Sequence, residues 1–186
     1  MIVPEALQRI AGELNRAGVA YMLTGSFASV FYGSPRSTQD IDLVIELTPP
    51  QLRALLEGLP GREYYVDPDA ALEALGRESL FNIIDLKTSW KIDMIIRKSR
   101  AFSREEFSRR RRVDLEGLLL FVASAEDMIV AKLEWAKLGQ SQRQIDDAAG
   151  ILKIRRDSLD QSYLDRWVHE LGLAHEWRNA KHIAES

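Results

Sequence analysis

Leu7, Ile10, Ala11 and Leu14 repeat at three- and four-residue spacing, which predicts an amphipathic helix over 4–17, with Pro4 in its first turn and Gly18 as its stop. The continuous apolar run 19–23 reads as a short buried strand, and 27–32 as a short apolar helix ended by Gly33. Residues 38–46 are β-branched and apolar apart from their acids, the pattern of a strand. Thr48 caps a helix over 51–59, and Asp67-Pro68 opens another through Leu75, with Gly76 as its end. The runs 80–86 and 91–97 read as a hairpin through Lys87-Thr88-Ser89-Trp90. Ser103 to Glu106 resembles a capping box leading into Phe107, and 113–122 reads as a strand broken at Gly117. From Ser124 the pattern turns helical, with helices over 124–138 and 142–154 and two more to the C-terminus. The expected architecture is α/β: a mixed sheet flanked by helices over 1–123, and a helical region over 124–186 packed on it.

Composition narrows the class only a little. A chain of 186 residues, 46% apolar and 28% charged, can bury one core with a helical appendage. Its net charge of −3 gives no global attraction to nucleic acid or to an anionic membrane. It has no cysteine, which excludes disulfides, zinc knuckles and thiol nucleophiles. The start, Met1-Ile2-Val3-Pro4-Glu5, lacks a basic region followed by a long apolar one, and no apolar stretch nears the length of a membrane span. Both point to a cytoplasmic protein with no membrane partner.

Chemistry concentrates in three places. Gly25-Ser26 sits where a strand turns into a helix, so its backbone N–H groups can face an anion such as a phosphate. Asp40 and Asp42, two apart in a strand, project from one face, as a hard cation requires. Asp93 is a lone acid in the apolar run Lys91-Ile92-Asp93-Met94-Ile95-Ile96, and a buried carboxylate needs a cation or a shared metal. Beside the strand bearing Asp40 and Asp42, it would complete a three-carboxylate cluster suited to Mg²⁺. Arg36 and Thr38 precede the acid pair in a loop expected near Gly25, where Arg36 could fork onto phosphate oxygens. Lys132, in an apolar helical stretch, could offset triphosphate charge.

Taken together, Leu23-Thr24-Gly25-Ser26, the thirteen-residue gap, Asp40-Ile41-Asp42-Leu43 and the later Ile92-Asp93-Met94 resemble the signature of the DNA polymerase β-like nucleotidyltransferase superfamily. The resemblance implies that Gly25 and Ser26 hold nucleotide phosphates and that Asp40, Asp42 and Asp93 hold two divalent metals, Mg²⁺ or alternatively Mn²⁺, with an NTP as donor. The run from Ser124 through Lys132 to Arg143-Gln144 and Asp147 is similar to small bacterial nucleotidyltransferase-like proteins of the AbiEii/MenT toxin type. That likeness implies a nucleotide role for Lys132 and Asp147, and a cognate antitoxin or toxin partner. The acceptor, whether tRNA, another RNA, a protein or an aminoglycoside-like small molecule, stays open, as does a role limited to binding a protein or RNA partner.

Plainer readings stand beside these. A lysine in an amphipathic helix usually reaches water, Arg143 and Asp147 could be a surface i,i+4 pair, and Asp146 faces another side of its helix. Arg109 to Arg112 reads as a solvated helix end in preference to an RNA contact, since Glu105 and Glu106 dilute it and no aromatic platform adjoins it. His169, His175 and His182 read as surface or packing residues, and Trp135, Trp167 and Trp177 as helix-packing groups.

Overall fold

A computed structural model describes residues 4–32, 38–115 and 117–185. Chain contacts divide it into two units, Met1–Phe27 with Ser37–Val122, and Ala28–Arg36 with Ala123–Ser186. The segment after the Gly25-Ser26 turn thus groups with the C-terminal helices and not with the sheet.

The first unit is built on seven strands: β1 (Ala20–Thr24), β2 (Asp40–Glu46), β3 (Tyr64–Val66), β4 (Leu80–Asp85), β5 (Lys91–Ile96), β6 (Arg111–Leu115) and β7 (Leu118–Val122). They are ordered β3-β4-β5-β2-β1-β7-β6. β2 runs parallel to β5 and antiparallel to β1, so β2 and β5 begin at the edge of the sheet where β1 ends. Alternation explains why β2 lies in the middle. Ile41, Leu43 and Ile45 are fully buried on one face, and Ile92 and Met94 of β5 continue that layer. Each such side chain contributes roughly 1.5–3 kcal/mol of burial. Four helices belong to this unit: α1 (Glu5–Arg16), α3 (Pro49–Gly58), α4 (Pro68–Arg77) and α5 (Ala101–Ser108), while α2 (Gly25–Ala28) is a single turn at the end of β1. α1 packs on β1 and α3, and α4 packs on β4.

Several sequence expectations are corrected here. β3 was hidden because three residues carry too little periodicity to stand out. The β4–β5 hairpin closes one residue early, because the Asp85 carboxylate accepts the backbone N–H groups of Lys87 (2.9 Å) and Thr88 (3.1 Å) and starts the turn. α4 runs through Gly76, and it is Glu78 that takes the left-handed conformation, at φ 48°. Ser103 is buried inside α5, which starts after Arg100, so it caps nothing. The arginine run divides: Arg109 ends α5, Arg110 stacks on Phe107 (4.3 Å) and Phe121 (5.2 Å), and Arg111 and Arg112 enter edge strand β6. Arginines on an edge blunt strand-to-strand pairing between molecules. The break at Gly117, φ 84°, is the turn of the β6–β7 hairpin.

The second unit holds α6 (Ala125–Gly139), α7 (Gln142–Arg155), α8 (Gln161–Glu170) and α9 (Ala174–Glu185). Ser124 caps α6 by accepting from the Asp127 N–H, and the buried Asp127 carboxylate also accepts from Ser124 Oγ (2.6 Å) and Tyr163 Oη. The 3-10 segment Ser29–Tyr32 is tied in by Tyr32 Oη donating to the Ala123 carbonyl and by Arg155 donating to the Phe31 carbonyl at 3.0 Å. Trp167 and Trp177 are buried as expected, whereas Trp135 is 55% exposed and is not a packing residue. The three histidines are exposed. No helix among the described residues is long and apolar enough to cross a membrane.

Candidate active site

Register brings the expected residues of the first unit together. Asp42 lies opposite Asp93 across the β2–β5 pair, Asp40 lies opposite Lys91, and Thr24 lies opposite Asp42 across β1–β2. Residues paired in register project from the same face, so the three acids and Lys91 form one patch where β2 and β5 begin. Gly25 closes that patch. Its φ is +68°, and a Cβ there would fall 1.9 Å from Asp42 Oδ2. A residue without a side chain is therefore a condition for the turn and the acid to meet. Ser26, at the same turn, is nearly buried, and Phe27 packs edge-on against Trp90 of the β4–β5 turn, with ring centroids 6.2 Å apart.

The acids differ in surroundings. Asp40 is exposed and Asp42 half-buried. Thr38 Oγ1 accepts the Asp40 N–H at 3.1 Å, so this residue starts the strand that presents the acids. Arg36 lies outside the described residues. Asp93, expected to need a cation or a shared metal, has a cation in its own strand: Lys91 Nζ donates to Asp93 Oδ2 at 2.9 Å, and Asn82 Nδ2 donates to Oδ1. The hydrogen bond to Asp93, assisted by the charges of Asp93, Asp40 and Asp42, raises the Lys91 ammonium above its ordinary value despite partial burial.

Lys91 and Asn82 were missed in the sequence. Lys91 had a usable signal, since a residue two before Asp93 in a strand shares its face. Asn82 had none, because its place opposite Asp93 depends on the β4–β5 register.

Among the described residues, no three His, Cys, Asp or Glu side chains converge as a ready metal cage. The donors nonetheless suit Mg²⁺, which uses one or two carboxylates and completes its shell with water and substrate phosphates. Asp40 and Asp42 supply the carboxylates from one face, and the Gly25 turn keeps the space beside Asp42 clear of side chains.

In the second unit, Lys132 and Asp147 are brought to each other. Lys132 Nζ lies 2.8 Å from Asp147 Oδ2, and both side chains are largely buried. This overturns the water-facing reading of Lys132 and gives Asp147 a partner on the neighbouring helix. Asp146 is exposed and accepts from Gln142 at 2.9 Å.

The seven-stranded mixed sheet flanked by helices is a nucleotidyltransferase fold, and solved structures share that fold. The antigenic nucleotidyltransferase-like protein from Paracoccidioides brasiliensis superposes with a TM-score of 0.56 at 15% identity, over 95% of this chain and 90% of that one. ANT(2'')-Ia, in complex with adenylyl-2''-tobramycin, gives 0.57 at 13% identity over 91% and 97%. The solution structure of ANT(2'')-Ia, an antibiotic-resistance factor, gives 0.51 at 16% over 95% and 94%. No family model and no curated protein sequence matches the chain.

Proposed function

We propose that this protein is a Mg²⁺-dependent nucleotidyltransferase that moves a nucleoside monophosphate from an NTP to an acceptor hydroxyl and releases pyrophosphate. The observation that carries the reading is the register of Asp42 beside Asp93, with Asp40 on the same face and Gly25 against Asp42. Nothing but glycine fits that contact, and an ordinary surface turn would not need it. Asp40 and Asp42 would hold the divalent cations, with Asp93 joining them. Bound there, the cations supply charge neutralisation for the triphosphate and activation of the attacking oxygen. The Gly25-Ser26 turn seats the phosphates through its backbone N–H groups, and Ser26 adds a hydroxyl donor. Asp93 would accept the proton of the acceptor hydroxyl as the new P–O bond forms and the bond to pyrophosphate breaks.

The acceptor classes open to this reading are RNA, protein and small molecules. The likeness to ANT(2'')-Ia, whose complex contains adenylyl-2''-tobramycin, makes aminoglycosides the first small molecules to test. An AbiEii/MenT-type role would add a cognate antitoxin, which co-expression and pull-down would reveal. The reaction is tested by incubating the protein with each labelled NTP, Mg²⁺ or Mn²⁺, and total RNA, lysate protein or aminoglycosides. Transfer of label supports the reading; label that stays in the nucleotide pool under every combination overturns it.

A further inference from the structure

The acid-bearing face carries two rows of side chains at the start of β2 and β5. One row runs Asn82, Asp93, Asp42, Thr24 across β4, β5, β2 and β1; the next places Lys91 beside Asp40. Lys91 is therefore one of four corners of the carboxylate patch and not a residue at its margin. Its ammonium is bonded to Asp93 at 2.9 Å, and Asn82 takes the other Asp93 oxygen, so donors of the sheet itself engage both oxygens. Three carboxylates on adjoining positions repel one another, and a cation among them relieves that repulsion. An ammonium and a divalent metal ion meet the same need, and they compete for the same oxygens.

We propose that Lys91 is a built-in counter-ion of the carboxylate cluster, which a divalent cation must displace from Asp93 before that residue can serve as a ligand. The inference rests on the metal reading of Asp40, Asp42 and Asp93. Asp93 is recruited only when Lys91 releases it, while the charges of Asp40 and Asp42 add to the field that holds the ammonium in place. The Lys91 side chain is 43% exposed, so its long stem can swing out without opening the core. Nucleotide phosphates offer the freed ammonium new partners, which couples release of Asp93 to arrival of the donor substrate. A merely structural Lys91–Asp93 pair at this exposure adds little to stability, so stability alone does not separate the two roles.

Metal affinity does separate them. Mn²⁺ is titrated into the full-length protein and free Mn²⁺ is read by electron paramagnetic resonance, for wild type, Lys91→Met, Lys91→Gln, Lys91→Arg and Asp42→Asn. Thermal melts with and without Mn²⁺ run alongside. Removing the competing charge in Lys91→Met and Lys91→Gln should tighten Mn²⁺ binding about tenfold and enlarge the Mn²⁺-induced rise in melting temperature. Lys91→Arg, which keeps the charge, should stay near wild type, and Asp42→Asn should lose binding. Equal Mn²⁺ affinity in wild type and Lys91→Met, with Asp42→Asn impaired, would overturn the counter-ion role and leave the metal site standing. No Mn²⁺ binding by wild type or by either uncharged variant would overturn both.

Discussion

At the scale of single residues, the decisive one is the residue without a side chain. Gly25 combines a left-handed φ of +68° with a contact that no Cβ can share, because the added atom would sit 1.9 Å from Asp42 Oδ2. Gly25→Ala should therefore cost about 1–3 kcal/mol of stability and push Asp42 out of place, lowering transfer activity more than it lowers melting temperature. Thermal melts beside label transfer check this. Lys132 and Asp147 make a different case, since each neutralises the other at 2.8 Å in largely buried surroundings. Lys132→Met alone should destabilise by about 3 kcal/mol by taking the ammonium away from a largely buried carboxylate, and adding Asp147→Leu should restore much of that. NTP affinity of the refolded double variant then shows whether the pair binds nucleotide, as the AbiEii/MenT resemblance implies, or only holds the helices together.

At the scale of elements, the hairpin that delivers β5 is held from behind. The fully buried Asp85, at the end of β4, pairs with Arg9 of α1 and accepts the turn N–H groups of Lys87 and Thr88. Burial alone would raise the Asp85 carboxyl, but Arg9 and those N–H groups outweigh it and hold it below the usual carboxylate range. A carboxylate with a lowered folded-state value adds stability above its unfolded value and loses it as pH falls through the folded one. Asp85→Asn should thus cost about 3 kcal/mol at neutral pH. The gap in melting temperature between wild type and variant should close in acid; a gap constant with pH would contradict the assignment. Elements also show what a sequence can and cannot disclose. The helices α1, α3, α6 and α7 were legible because their apolar spacing and caps are local. β3, the cap of α5 and the fate of the arginine run were not, because pairing across a sheet decides them. The same divide runs through the candidate residues of each unit. Gly25, Asp40, Asp42 and Asp93 could be picked out from turn chemistry and strand alternation, but the Lys132–Asp147 pair depends on two helices packing, and Asn82 on β4 meeting β5 in register.

At the scale of the whole molecule, the fold is shared with ANT(2'')-Ia and the Paracoccidioides protein at 13–16% identity, so the backbone plan persists where few side chains do. The proposed reaction would rest on the few residues that the sheet brings into register. Asp42 lies at their centre, against Gly25 on one side and opposite Asp93 on the other. The most direct test is therefore transfer of label from each NTP in the presence of Mg²⁺ and the acceptor panel, comparing wild type with Asp42→Ala. Wild type should show divalent-dependent transfer, and the variant a fall of at least about a hundredfold with an unchanged melting curve. Transfer by Asp42→Ala at the wild-type rate would contradict the metal role of Asp42.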